Sequence, residues 1–237
     1  MSGHSKWANI KHRKGSQDQK RGMLFQKLSK EIIVALKSGD KDPDNNPRLR
    51  LAIEKAKSQN VPNDNIKKLI ERQSKEGKIF EEITYEGYDP SGIAILVECL
   101  SDNLNRTTAN VKAIFTKNNG NLGTKGSVAY LFETKGIIAL ENTNYSEDKI
   151  MELLIDSGLE NIENEDDVII LQLSPSNLLK AKKILEDNNI NNFITTEVTK
   201  IPIQKTKLTP EKHKKLDRIL NLLEDNEDVQ NVFNNAE

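Results

Sequence analysis

The chain has 237 residues, 35% hydrophobic and only 5% aromatic, so its cores must be aliphatic, and several small ones suit that supply better than one large one. Charged residues reach 30% without any long low-complexity stretch, which excludes wholesale disorder. No run approaches the roughly 20 apolar residues of a membrane-spanning helix, and the basic N-terminus MSGHSKWANIKHRK lacks the apolar segment of a secretory signal and matches a transit peptide poorly. The single cysteine, Cys99, sits in a β-like run and reads as a small buried hydrophobe, so the expected compartment is the cytosol.

The net charge of -1 hides a sharp division. Residues 1–78 carry 19 Lys and Arg against 9 Asp and Glu, a balance of +10, and the remainder carries 16 against 27, a balance of -11. A basic module that meets a polyanion, joined to an acidic body that does not, is the arrangement this implies.

The first predicted helix starts from Ser16 and Gln19 at capping-box spacing and carries the apolar stripe Leu24, Phe25, Leu28, Ile32, Ala35 and Leu36. Ser38-Gly39-Asp40 stops it. Asn46-Pro47 forms an N-cap and first-turn pair for a second helix bearing Leu49, Ala52, Ile53 and Ala56, which Gln59-Asn60 ends. Pro62 opens a third, with Ile66, Leu69 and Ile70 inward and Gly77 closing it. After Gly77 the period changes. Residues 82–88 and 92–100 read as strands joined by a turn at Tyr88–Gly92, 103–118 as a helix ended by Asn119-Gly120, and 127–133 and 136–141 as strands. A helix over 146–157 capped by Gly158, a strand over 167–173, a helix from Ser174-Pro175 to about 187, a strand region over 193–204, a helix from Thr209-Pro210 to Leu223 and a last strand over 228–233 complete the chain.

This order predicts an α+β protein: an N-terminal three-helix domain followed by two small α/β sandwich domains of the βαββαβ kind, one inserted in the other. The expected divisions are 1–78 for the basic helical domain with a flexible arm, 79–134 plus 205–237 for the middle domain, and 135–204 for the inserted acidic domain.

The sharpest chemical signal lies at the N-terminus. His4, Lys6, Trp7, Asn9, Lys11, His12, Arg13, Lys14, Lys20 and Arg21 crowd a stretch whose first part has almost no apolar periodicity, so an extended arm is expected there. Each Lys or Arg that neutralises a phosphate releases a counterion, and Trp or His can stack on an exposed base. Trp7 admits a second reading, as an anchor of the arm to its own domain. Lys20, Lys27 and Lys37 extend the basic set as one row along the first helix, and Lys67, Lys68, Arg72, Lys75 and Lys78 add charge on the third. Arg106 sits in a first helical turn, where acids are preferred. Either it holds an anion together with free backbone amides or it pairs with a nearby acid.

Catalysis finds little support. His4, His12 and His213 show no ligand spacing, zinc and serine-hydrolase signatures are absent, Asn121–Ser127 reads as a tight turn rather than a phosphate loop, and Glu163–Asp167 reads as an exposed loop rather than a metal cage. No enzyme activity, cofactor or metal is expected.

The segments MSGHSKWANIKHRKGSQDQKRGMLFQKLSKEI, NPRLRLAIEKAKSQNVPNDNIKKLIE, YEGYDPSGIAILVECLSDNLNRT, NLGTKGSVAYLF and DVQNVF, in this order, resemble the YebC/PmpR family, whose mitochondrial relative is the translational activator of cytochrome c oxidase subunit I. The resemblance covers essentially the whole chain, with Met23 where lysine is common and Asp89 where glycine is common. It implies three domains, the middle one completed by the C-terminus. It also implies a nucleic-acid-binding regulator of gene expression, either a DNA-binding transcriptional regulator or a ribosome-associated translation factor that contacts ribosomal RNA and eases synthesis of proline-rich stretches. A protein-interaction scaffold built on the acidic domains is the alternative from another class. The expected partner is nucleic acid, with no membrane and no small-molecule substrate.

Overall fold

The computed structural model describes residues 18–73, 79–142, 145–165 and 167–237, with the side chains of all these except 18–21 and Gln73. They divide into two compact units, one comprising 53–60 and 134–200, the other 19–52, 61–133 and 201–237.

Three helices lead: α1 (Asp18–Lys37), α2 (Pro47–Ser58) and α3 (Asn63–Gln73). On α1 the buried stripe runs through Leu28, Ile32 and Ala35, whereas Leu24 and Phe25, expected inside, are exposed. Asn46 is the hinge of this region. Its Oδ1 accepts from the Leu49 N–H at 3.0 Å, capping α2, and its Nδ2 donates to the Ala35 and Asp40 carbonyls, both at 2.8 Å. One buried side chain thus starts one helix and satisfies the frayed end of another. Asn60, with φ of 59°, takes the left-handed conformation after α2. Ser16, Gly77, Lys75 and Lys78 lie outside the described residues.

The first sheet has the order β3-β1-β2-β8, from β1 (Glu81–Tyr88), β2 (Ala94–Ser101), β3 (Asn121–Leu122) and β8 (Val229–Asn234), with antiparallel neighbours. Central β2 is buried along nearly its whole length, because both of its faces are covered. Ile93, Ile95, Val97 and Cys99 meet Val111 and Phe115 of α4 (Leu104–Lys117) and Leu216, Ile219 and Leu223 of α7 (Pro210–Glu224). Ala94 and Leu96 meet Val128, Phe132 and Phe233. Each such fully buried aliphatic side chain contributes about 1.5–3 kcal/mol. Burial, with Asp228 next in effect, pushes the Cys99 thiol up to about 12, so it is an inert core residue. Asp89, the departure from glycine, closes the β1–β2 turn: its Oδ1 accepts from the Ser91 and Ile93 amides, both at 2.8 Å.

The second sheet has the order β5-β6-β4-β7, from β4 (Phe132–Glu141), β5 (Leu159–Glu165), β6 (Val168–Leu173) and β7 (Phe193–Pro202). Its helices are α5 (Glu147–Leu154) and α6 (Leu178–Asp187). Central β4 and β6 are aliphatic and buried; edge strand β5, LENIENE, is mostly polar and half-exposed. The structure therefore corrects one expectation. Glu163 and Glu165 belong to a strand rather than a loop, because pairing with β6 supplies the order that local propensity does not.

A second correction concerns residues 127–133. Only Phe132 and Glu133 of these are in a strand: Ala129–Leu131 is a single 3-10 turn, and β4 starts after it and runs unbroken through the expected interruption at residues 134–135. The cause is Glu86, a buried carboxylate that accepts from the amides of Gly126 (2.7 Å), Val128 (2.7 Å) and Ala129 (2.8 Å). Those donors are withdrawn from any ladder. Burial opposes ionisation of Glu86, yet the three amides hold it below the usual carboxylate range. The N-terminal helices followed by two antiparallel sheets are the α+β class that the element order predicted.

Candidate nucleic-acid interface

Of the expected contact residues, His4, Lys6, Trp7, Asn9, Lys11, His12, Arg13 and Lys14 lie outside the described residues. Lys20 and Arg21 stand on α1, their side chains undescribed. The expected single row needs correction. Seven residues advance a helix to within about 20° of a full turn, so Lys20 and Lys27 align, but the ten-residue step to Lys37 falls about 80° short. Lys37 is exposed in the last turn, where a cation complements the helix dipole.

Lys27 and Arg106 are engaged within the protein. Lys27 Nζ donates to the Glu224 carbonyl at 2.5 Å, at the C-terminal end of α7. Burial lowers its pKa, and Glu224 and Asp225 act in the opposite sense. Arg106 donates to Asp102 Oδ1 and Asp228 Oδ2, both at 2.8 Å. The amide of Arg106 is taken by the Asn103 side chain at 3.1 Å, which caps α4. Of the two readings of Arg106, the ion pair is the one this geometry favours. Asp228, foremost, and Asp102 raise the Arg106 pKa further.

Lys30, which sequence reasoning passed over, completes this cluster. Its amino group donates to Asp228 Oδ1 (2.8 Å), to the Glu227 carbonyl (2.9 Å) and to the Leu100 carbonyl (3.4 Å), and lies 5.4 Å from the Phe80 ring centroid. Thr107 Oγ1 donates to Asp228 Oδ2 at 2.8 Å. The Asp228 carboxylate has no solvent exposure. Burial alone would raise its pKa; the hydrogen bonds from Lys30, Arg106 and Thr107 prevail and hold it below the ordinary value. A pair separated by 198 residues has no local signature, so only the fold brings Lys30 to Asp228.

This cluster joins α1 to the first sheet and its helices. Lys67 and Lys68 are exposed on α3, with no ion pair among the described residues, whereas Arg48 pairs with Glu82. The structure thus separates basic residues with partners within the protein (Lys27, Lys30, Arg48, Arg106) from exposed ones that make no ion pair among the described residues (Lys37, Lys67, Lys68). Among the described residues no group of His, Cys, Asp and Glu has the arrangement of a metal site, and no helix is long and apolar enough to cross a membrane.

The fold and its charge distribution define a mixed α/β protein in which N-terminal helices precede two antiparallel sheets. Residues 5–76 match the model of the TACO1/YebC protein N-terminal domain, and residues 80–236 match that of the TACO1/YebC second and third domain. The chain belongs to the TACO1/YebC family. It is 47% identical over 241 residues to a probable transcriptional regulatory protein of Geobacillus kaustophilus, covering 100% of this chain and 98% of that one. A protein of the same description from Enterococcus faecalis is 44% identical over 241 residues, covering 100% and 99%. The crystal structure of a conserved hypothetical protein, Aq1575, from Aquifex aeolicus superposes with a TM-score of 0.86 at 42% identity, covering 98% of this chain and 97% of that one.

Proposed function

We propose that this protein is a non-enzymatic, nucleic-acid-binding regulator of gene expression that grips phosphate backbone through its N-terminal 78 residues. The observation that carries the reading is the division of charge, +10 over residues 1–78 against -11 over the rest. The contact set is His4, Lys6, Trp7, Asn9, Lys11, His12, Arg13, Lys14, Lys20, Arg21 and Lys37. Lys27 and Arg106 are left out, because each already donates to partners within the chain. The descriptions of the relatives as probable transcriptional regulatory proteins support a regulatory role, which we place in the cytosol. With this reading go three domains: 1–78, 79–134 plus 205–237, and 135–204.

The test is fluorescence anisotropy with duplex DNA and with a structured RNA, comparing the natural chain with K11E/R13E/K14E. The natural chain is expected to bind with an affinity that falls steeply with salt, and the variant to lose most of it. Binding unaffected by the three reversals would refute the arm as the contact. Tighter binding to RNA, with salt-sensitive co-sedimentation on ribosomes, would assign the regulation to translation rather than transcription.

A further inference from the structure

The acidic body is itself divided. Residues 201–218 hold six Lys and Arg against two acids, while the rest of residues 79–237 holds 10 against 25. The six are Lys205, Lys207, Lys212, Lys214, Lys215 and Arg218, all exposed, on α7 and the segment leading into it. Leu216, Ile219 and Leu223 turn the opposite side of α7 into the core of the first sheet, which leaves Lys214, Lys215 and Arg218 facing outward.

Three observations distinguish this surface from an ordinary solvated helix face. First, among the described residues none of the six makes an ion pair, whereas Lys30, Arg106, Lys135 and Lys182 all do. Second, Lys214 and Arg218 stand one turn apart, where like charges destabilise a helix, and Glu211 and Asp217, the two acids on this stretch, form no ion pair with them among the described residues. Third, the lysines of the leading segment stand on fixed backbone. The Thr206 amide donates to the Asn235 carbonyl at 2.7 Å and the Glu237 amide donates to the Thr206 carbonyl at 2.9 Å, so Lys205 and Lys207 flank a residue pinned to the C-terminal strand region. His213 Nε2, 2.9 Å from the Glu237 main-chain oxygen, ties the first turns of α7 to the same chain end.

We infer that this surface is a second contact for the phosphate backbone of a nucleic acid, separate from the N-terminal residues. It rests on the reading of the chain as nucleic-acid-binding and adds to it a sheet-borne surface, so the protein holds its polyanion at two places. Exposed lysines on a rigid element contribute counterion release without base readout, so the contact is indifferent to sequence.

The test compares four full-length proteins by anisotropy on duplex DNA and on a structured RNA hairpin, between about 50 and 200 mM salt. These are the natural chain, K214Q/K215Q/R218Q, K205Q/K207Q, and K149Q/K180Q/K183Q, which removes three exposed charges from α5 and α6. The α7 variant is expected to flatten the slope of log affinity against log salt by about 3, and K205Q/K207Q by about 2, while the α5–α6 variant keeps the natural slope. Thermal melting checks that each protein folds, and K205Q/K207Q decides the matter if the α7 variant does not. Natural slopes in both the α7 and K205Q/K207Q proteins, or equal flattening in the α5–α6 control, would overturn the second contact and leave the N-terminal reading intact. Failure of the natural chain to bind either probe would overturn both.

Discussion

Asp228 carries two cations and a hydroxyl on a carboxylate with no solvent exposure, and its energetics follow from that. Desolvation is unfavourable for the anion, but the donors from Lys30, Arg106 and Thr107 more than offset it, so the folded pKa lies below the unfolded one. The sign of the linkage is fixed: the contribution is present above the unfolded value of about 3.9 and is lost as pH falls through the lower, folded value. Asp228→Asn leaves Lys30 facing a neutral group in a buried site. It is expected to cost about 2–4 kcal/mol at neutral pH. Urea denaturation should show the gap to the natural protein closing in strong acid, where the natural carboxylate is also neutral. A gap of constant size across that range would mean that packing, not charge, is what the substitution removes.

At the scale of elements, the approach of α4 to the first sheet depends on Gly87 of β1. A Cβ there would lie 2.7 Å from the Asn121 carbonyl oxygen and 2.7 Å from Phe115 Cε1, with Phe115 fully buried. Neither a ladder carbonyl nor a core ring in a close-packed site can yield that distance cheaply. Gly87→Ala is expected to destabilise by about 2–3 kcal/mol, read from the urea midpoint, and the accommodation should show as loss of the β1–β3 pairing in amide exchange. A neutral effect would show that β3 and Phe115 repack freely. The strands of the second sheet illustrate the opposite case: edge strand β5 has few apolar residues to pack and is held by its ladder with β6.

For the whole molecule, the decisive connection is the return of the C-terminus to the first sheet. β8 pairs with β2, Val229 and Phe233 enter its two cores, and Asp228 anchors α1. Removing residues 225–237 strips one ladder from β2 and exposes a long apolar edge. Hydrogen exchange on the truncated chain is expected to show lost protection in β1 and β2 with protection kept in β4 and β6, whose ladder does not involve the deleted strand. Full protection in β2 would make β8 dispensable.

Much of the fold is written locally. Asn46-Pro47, Asn103, Asn119-Gly120 and Gly158 mark helix ends through caps and left-handed backbone, and helical and strand periods of apolar residues place the seven helices and six of the eight strands named above, but not the polar edge strand β5 or the short β3, which falls where a tight turn was expected. The division of charge is likewise a property of the sequence alone. Tertiary structure decided which cations have partners within the protein. Lys27, Lys30 and Arg106 look like any other surface base in one dimension, and the first and last were expected on nucleic acid. Folding brings partners 197, 198 and 122 residues away to their side chains. The same holds for Glu86, whose hold on the amides of Gly126, Val128 and Ala129 turns an expected strand into a turn. Caps and periodicity act over one or two turns, so they are legible in sequence. The choice between a solvated charge and a paired one depends on burial and on distant partners, and the chain acquires those only by folding.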